Sequence, residues 1–266
     1  MRALPLIIGI VNITEDSFSD GGRYLAPEDA LLHARALAEW ADVIELGPAS
    51  THPNARAVSA QEEIQRLQAV LPQLVAAGNR VAVDSFQVAT QSWALEQGAA
   101  YLNDTQGFPR PGEVPGLAAS SAKLVVMHSV QRRGKAVRRR TDPERILEEI
   151  EGFFAERLEV LGKAGIARER IILDPGMGFF LGSNPEPSLR VLRELPWLRK
   201  RFGLPLLVSV SRKSFIQALT GRDARGADAA TLAVELFAAR AGVDYIRTHD
   251  VAALRDALRV STILGD

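Results

Sequence analysis

Ile171-Ile172-Leu173-Asp174-Pro175-Gly176-Met177-Gly178-Phe179-Phe180 begins as an apolar run and ends as a glycine-hinged loop. The run reads as a buried strand. One carboxylate, Asp174, stands where it stops, and a buried charge needs a partner or a ligand. The same unit recurs along the chain. Apolar runs at 5–11, 42–46, 80–83, 99–102, 123–127, 204–210 and 244–246 each lead into polar residues. In order these are Asn12; Glu45, with Thr51 and His52 in its loop; Asp84; Asn103 and Asp104; His128; Lys213; and Arg247 with His249.

Helical patterns fill the intervals. Residues 26–40 are expected to be helical, with Pro27 in the first turn. Ser59 and Glu62 have capping-box spacing, and Ile64, Leu67, Leu71 and Leu74 follow at helical intervals up to Gly78. Helices are also expected at 90–97, at 189–202 with a kink or split at Pro196, at 227–241 and at 251–260. Asp142-Pro143 is expected to cap the longest helix, striped by Ile146, Leu147, Ile150, Phe154, Leu158 and Leu161. A strand followed by a helix, eight times in about 250 residues, predicts a single α/β domain over 1–266 folded as a TIM barrel. A doubly wound sheet is the structural alternative. Polar residues at nearly every strand's C-terminal end favour the barrel, because there those ends share one mouth.

Composition narrows the function classes. The chain has 266 residues, 47% of them hydrophobic, enough for a sizeable core. With 32 basic and 32 acidic residues, no net charge draws it to nucleic acid or to a membrane surface. Cysteine is absent, which excludes disulfides, thiolate metal sites and a cysteine nucleophile. The apolar run near the N-terminus is too short to span a membrane, and no small-residue cleavage site follows it. The expectation is a soluble cytoplasmic protein.

The polar residues of the mouth divide into two chemical types. Asp84, Asn103, Asp174 and Lys213 suit a heterocycle carrying both donors and acceptors. A carboxylate can take two parallel N–H bonds from an amino-pyrimidinone edge. Asn12, His52, Arg247 and His249 suit phosphate oxygens or a phosphate-bound Mg²⁺.

In that order, these segments resemble the signatures of the dihydropteroate synthases. The first is Asn12-Ile13-Thr14-Glu15-Asp16-Ser17-Phe18-Ser19-Asp20-Gly21-Gly22, and the second Ser50-Thr51-His52-Pro53. Val83-Asp84-Ser85, Leu102-Asn103-Asp104, Leu173-Asp174-Pro175-Gly176, Ser211-Arg212-Lys213-Ser214 and Arg247-Thr248-His249-Asp250 complete the series. The resemblance covers the whole chain and implies a pterin-binding barrel. Its reaction joins 6-hydroxymethyl-7,8-dihydropterin pyrophosphate to 4-aminobenzoate, giving 7,8-dihydropteroate and pyrophosphate. The resemblance implies that Glu45, Asp84, Asn103, Asp174 and Lys213 hold the pterin, with Asp84, Asp174 and Lys213 catalytic. Asn12, His52, Arg247 and His249 would take the pyrophosphate, Asn12 also a Mg²⁺ cofactor. Thr51, Pro53, Phe179, Phe180 and Ser214 would meet the aminobenzoate. A homodimer is implied too. Pterin-dependent methyltransferase domains and non-catalytic pterin-binding homologues are the rivals, and the pyrophosphate-side residues distinguish the synthase from both.

Two loops depart from the usual pattern. Glu45 stands where the family has an aspartate, and His52 where it has an arginine, with Arg56 as an alternative cation. In the loop after Asp174 the usual Gly-Phe-Gly-Lys becomes Gly178-Phe179-Phe180-Leu181, with bulky apolar groups in place of a flexible glycine and a lysine. These changes resemble the sulfonamide-resistant branch of the family. Phe179 or Phe180 at the pocket rim would exclude the bulk of a sulfonamide and admit a flat carboxylate.

Overall fold

The structure is a computed structural model that describes residues 4–14, 27–50, 52, 54–132, 134, 136, 138–224 and 226–265. Eight parallel strands form it: β1 (Leu6–Asn12), β2 (Val43–Gly47), β3 (Val81–Asp84), β4 (Tyr101–Asp104), β5 (Lys123–Met127), β6 (Ile171–Asp174), β7 (Leu207–Val208) and β8 (Tyr245–Thr248). They pair in the order β6-β5-β4-β3-β2-β1-β8-β7. A parallel bridge between Leu173 and Leu206 joins the two ends, so the sheet curls into a TIM barrel, as expected. The seventh strand is shorter than the 204–210 run suggested. Pro205 has no N–H to give the ladder, although its carbonyl still accepts from Leu173 N at 2.9 Å.

The helices are α1 (Pro27–Ala38), α2 (Ala60–Leu67), α3 (Leu71–Ala76), α4 (Val88–Glu96), α5 (Ile146–Lys163), α6 (Glu186–Arg193), α7 (Leu195–Phe202), α8 (Ser214–Thr220), α9 (Asp228–Ala241) and α10 (Val251–Leu264). The capping box forms, with Ser59 Oγ accepting from Glu62 N and Glu62 accepting from Ser59 N. The helix behind it breaks in two, because Pro72 opens α3. Pro196 divides α6 from α7 in the same way. Asp142 does not cap α5, which starts at Ile146; its carboxylate accepts from Glu144 N at 2.9 Å and closes a turn instead. The strand–helix alternation also fails once. After β4 only a single 3-10 turn, Pro111–Glu113, precedes β5, in a segment with prolines at 109, 111 and 115 and glycines at 107, 112 and 116 that a helix would not tolerate.

A strand's side chains alternate between faces, and here that alternation builds the barrel interior in layers. One residue from each strand forms the bottom layer: Ile8, Val43, Ala82, Tyr101, Val125, Ile172, Leu207 and Tyr245 cluster and exclude water. Two residues further along, the inward positions are Ile10, Glu45, Asp84, Asn103, Met127, Asp174, Ser209 and Arg247. Two further again lie Asn12, Gly47, Ser211 and His249. The outward residues pack against the helices in a large apolar core that includes Val11, Leu46, Val83, Leu102, Val126 and Leu173. The polar mouth therefore sits on an apolar plug, and the strand period decides which residues face it.

Candidate active site

The charged layer is buried. Glu45 is 0% exposed, Asn103 1% and Asp174 2%. Arg247 crosses the mouth of the barrel and pairs with two carboxylates: its guanidinium bonds Glu45 and approaches Asp84 Oδ2 at 3.1 Å. Asn103 Nδ2 donates to Glu45 Oε2 at 3.3 Å, while Asn103 Oδ1 is buried with no hydrogen-bond partner among the described residues. Asp174 Oδ1 accepts from Gly176 N at 2.8 Å, which leaves its other oxygen for the mouth. Gly176 has φ +75°, and a Cβ there would lie 2.4 Å from the carbonyl of His128, so the turn that presents Asp174 requires glycine.

Three carboxylates share this floor with two cations, and burial shifts the titration of Asp84, Asp174 and Lys213. Asp84 is raised to about 7, first by loss of water and then by the Glu45 charge, with Arg247 and Lys213 opposing. Asp174 is raised to about 6 by burial, against the Gly176 N–H. Lys213 is lowered to about 8 by burial and by Arg247. Its ammonium lies 5.1 Å from the centre of the Phe180 ring, a cation–π contact that partly replaces water. Perturbed groups gathered in one cleft mark a functional site.

Above the floor opens a cavity of about 670 Å³. Asn12, His52, Asp84, Arg247 and His249 line one side, and Phe179, Phe180, Ser214 and Arg138 are on its wall as well. Ser211 Oγ lies 2.9 Å from His249 Nδ1 and accepts from His249 N at 3.3 Å. Burial and the nearby cations Arg212, Arg247 and Lys213 hold the His249 pKa well below the usual range. The two phenylalanines differ. Phe180 is 6% exposed and packs with Met127 and Ala136, a cluster against which Phe179 also packs. Phe179 is half-buried, edge-on to His52 at 6.1 Å between ring centres, with the Arg138 guanidinium 5.6 Å from its own centre.

Several expectations need correction. Asp104 faces away from the mouth and bonds Gln91 Nε2 at 3.0 Å and Gln106 N at 2.7 Å. His128 also points outward, because it follows the inward Met127; its Nδ1 meets Pro175 O at 3.1 Å and its ring packs edge-on to Phe153. Arg56 is tied to Glu62 at 2.9 Å on the surface, whereas His52 lines the cavity. Arg247 keeps its place on the cavity wall beside the residues of the phosphate side, and also bonds carboxylates of the floor. Thr51 and Pro53 lie outside the described residues, as does most of the first signature. Sequence reasoning missed Arg138, Ser209 and Ser211 on the cavity wall. The last two are signalled by period two from Leu207; nothing in the pattern signals Arg138.

Asn12 could help hold a Mg²⁺. Its side-chain oxygen lies over Gly47, 3.2 Å from where a Cβ would stand, at the top inward layer. Among the described residues no group of three His, Cys, Asp or Glu side chains could hold a metal. An amide oxygen fits a hard cation that takes its remaining ligands from phosphate and water.

The family model described as pterin binding enzyme matches residues 8–249. Dihydropteroate synthase type-2 of Escherichia coli is 58% identical, over 100% of this chain and 98% of its own length. Dihydropteroate synthase type-3 of the same organism is 51% identical, over 97% and 99%. Among solved structures, Xanthomonas albilineans dihydropteroate synthase with 4-aminobenzoic acid superimposes with a TM-score of 0.87 at 37% identity, covering 98% of this chain and 93% of that one. The same enzyme in complex with 7,8-dihydropteroate gives 0.83 at 34% identity, covering 98% and 94%. With eight strands in the barrel those proteins share, and with matches over nearly its whole length, the chain belongs to the dihydropteroate synthases, within the pterin-binding enzyme family.

Proposed function

We propose that the chain carries out the reaction for which its relatives are named, joining 6-hydroxymethyl-7,8-dihydropterin pyrophosphate to 4-aminobenzoate. The observation that carries this reading is the buried Glu45, Asn103 and Asp174 with the part-buried Asp84 at the floor of a cavity walled by Lys213, Arg247 and His249. Ionised Asp174 and Asp84 accept the paired N–H groups of the pterin edge, and the unpartnered Asn103 Oδ1 takes a further donor. Lys213 donates to a ring acceptor. The pyrophosphate oxygens compete with Glu45 and Asp84 for the Arg247 guanidinium, while Asn12, His52 and His249 face them from the next layer.

The C–O bond at the pterin methylene breaks, and pyrophosphate leaves with the electron pair. The cation left on the methylene is delocalised into the pterin ring, where Asp84 and Asp174 stabilise it. The neutral arylamine adds its lone pair to that carbon and then loses a proton. No side-chain nucleophile is needed. Mg²⁺, when bound beside Asn12, would neutralise charge building on the leaving group. The same reading includes a homodimer and a cytoplasmic location.

Phe179 is the residue we assign to drug discrimination. It stands at the rim while Phe180 packs below, so its ring meets whatever extends beyond the aminobenzoate carboxylate. Ser214, at the first position of α8 on the same wall, would bond that carboxylate. Thr51 and Pro53 would complete the pocket. The deciding experiment measures pyrophosphate release with both substrates, with and without a sulfonamide. Release that requires both substrates and persists at drug levels that silence a sensitive synthase supports the reading. No release refutes the activity, and inhibition equal to that of the sensitive enzyme refutes the role of Phe179.

A further inference from the structure

Among the described residues, four arginine and lysine side chains line the cavity: Arg138, Arg212, Lys213 and Arg247. Three of them face acids. Arg247 pairs with Glu45 and Asp84, Lys213 faces Asp174, Asp84 and Glu45, and Arg212 Nε lies 3.8 Å from Asp228. Arg138 differs. Among the described residues no carboxylate comes within ion-pair distance of it, and its guanidinium sits 5.6 Å from the centre of the Phe179 ring. A guanidinium held over an aromatic face keeps the edge of its N–H fork free for a planar, bidentate anion.

The segment that carries Arg138 is anchored. Ser183 N donates to Arg139 O at 2.7 Å. Asn184 grips the backbone of Thr141 twice, accepting from its N at 2.9 Å and donating to its O at 3.1 Å. Val130 N donates to Phe180 O at 2.9 Å on the other side. Gly182 lets the two loops approach, since a Cβ there would lie 3.0 Å from Thr141 Oγ1. Arg139 and Thr141 are therefore tied to the loop after β6, next to the Arg138 guanidinium that lies over the Phe179 ring.

We infer that Arg138 binds the carboxylate of the aminobenzoate, so that this chain reads the acid group with a cation as well as with the Ser214 hydroxyl. The inference rests on the reaction proposed above. Both substrates are anions, and they would enter a wall whose cations, apart from the Arg212 that faces Asp228, fall into two groups. Lys213 and Arg247 serve the pterin pyrophosphate, and Arg138 serves the aromatic acid. The Phe179 ring beneath the guanidinium then has two tasks, orienting the cation and closing the rim.

The test compares 4-aminobenzoate with the uncharged isostere 4-aminobenzamide in wild type, R138Q and R138K, by steady-state pyrophosphate release. In R138Q the KM for 4-aminobenzoate should rise about tenfold, with kcat and the KM for the pterin substrate held near wild type. The KM for 4-aminobenzamide should change less than about twofold, because that substrate offers no charge to lose. R138K should retain most of the preference for the acid. An unchanged KM for 4-aminobenzoate in R138Q overturns the inference. So does an equal rise for acid and amide, which would mean a disturbed loop rather than a lost ion pair. A wild-type protein that releases no pyrophosphate would overturn the reaction itself; failure of Arg138 alone leaves wild-type turnover intact.

Discussion

Glu45 and Arg247 form an ion pair across 202 positions of sequence, with the carboxylate fully buried on the barrel floor. Both lie on the same inward layer, two residues beyond the apolar plug, so strand register alone brings them together. Removing one charge of a buried pair strands the other. Glu45→Gln should destabilise the protein by about 3 kcal/mol, at the lower end of such effects because Asp84 still faces Arg247. Urea denaturation measures this, and a midpoint equal to wild type would show the pair to be inconsequential.

The same substitution should change the pH profile. On the proposed mechanism, productive pterin binding needs Asp84 and Asp174 ionised and Lys213 protonated. With those groups at about 7, about 6 and about 8, kcat/KM for the pterin substrate should rise from pH 5.5 to 7 and fall above 8. The Glu45 charge is the second cause of the raised Asp84 pKa. Glu45→Gln should therefore move the acidic limb to lower pH and leave the basic limb in place. An acidic limb that does not move would disconnect Asp84 from that limb.

Asp174→Asn separates chemistry from folding. The amide oxygen can still accept the Gly176 N–H, so the turn survives. The variant also removes a carboxylate whose ionisation burial disfavours. At pH 8 its Tm should be no lower than that of wild type, while turnover falls by about 10²–10³ or more. Near-wild-type turnover would remove this carboxylate from the mechanism; a large loss of Tm would make it structural.

Phe179 and Phe180 should separate in the opposite way. Phe180→Ala empties a packed position against Met127, Ala136 and Lys213 and should cost about 3 kcal/mol of stability. Phe179→Ala, at the half-buried rim, should cost less than about 1 kcal/mol. It should lower the inhibition constant of a sulfonamide at least about tenfold, a gain of roughly 1.4 kcal/mol in binding. Thermal melts and inhibition assays on the two variants decide the matter. Sensitisation by Phe180→Ala alone would reverse the assignment.

Sequence periodicity showed the barrel and its floor because both depend on runs of apolar residues that stop at a charge. Asp84, Asn103 and Asp174 end such runs, Glu45 lies one residue before the end of its run, and all four point inward. Asp104 and His128 end runs too, yet point outward. A strand end known to within one residue leaves the face undetermined, since a shift of one reverses it. The Glu45–Arg247 pair was not legible for a different reason: each residue sits in its own motif, and only register makes them neighbours. Arg138 lies in a basic stretch where charge says nothing of direction; the grip of Asn184 on Thr141, 43 residues away, fixes its place. The seven residues of α8 follow the Ser211-Arg212-Lys213 loop and end at Gly221, too few for helical spacing to stand out.

Glu235 offers the clearest stability test away from the reaction. It lies on α9, 2% exposed, against a cavity of about 150 Å³ lined also by Ser211, Thr231 and Thr248. Its carboxyl group is hydrogen-bonded with Thr248, between Arg247 and His249, and its Oε1 has no partner among the described residues. Burial raises its pKa to about 8, helped by Asp250 and Asp228. An acid raised in the folded state holds its proton there while the unfolded chain releases it near 4.5. The folded state thus binds more protons between those values, and stability falls as pH rises through that window. Glu235→Gln keeps the shape without the ionisation. Its Tm should equal or slightly trail wild type at pH 5 and exceed it at pH 9, by an amount on the order of a few kcal/mol in unfolding free energy. Asp84 and Asp174 add to the wild-type slope in the same direction, so the variant should flatten the curve rather than level it. Parallel Tm curves for the two proteins from pH 5 to pH 9 would mean that Glu235 is already ionised in the fold, with a cation or water in the small cavity carrying the charge.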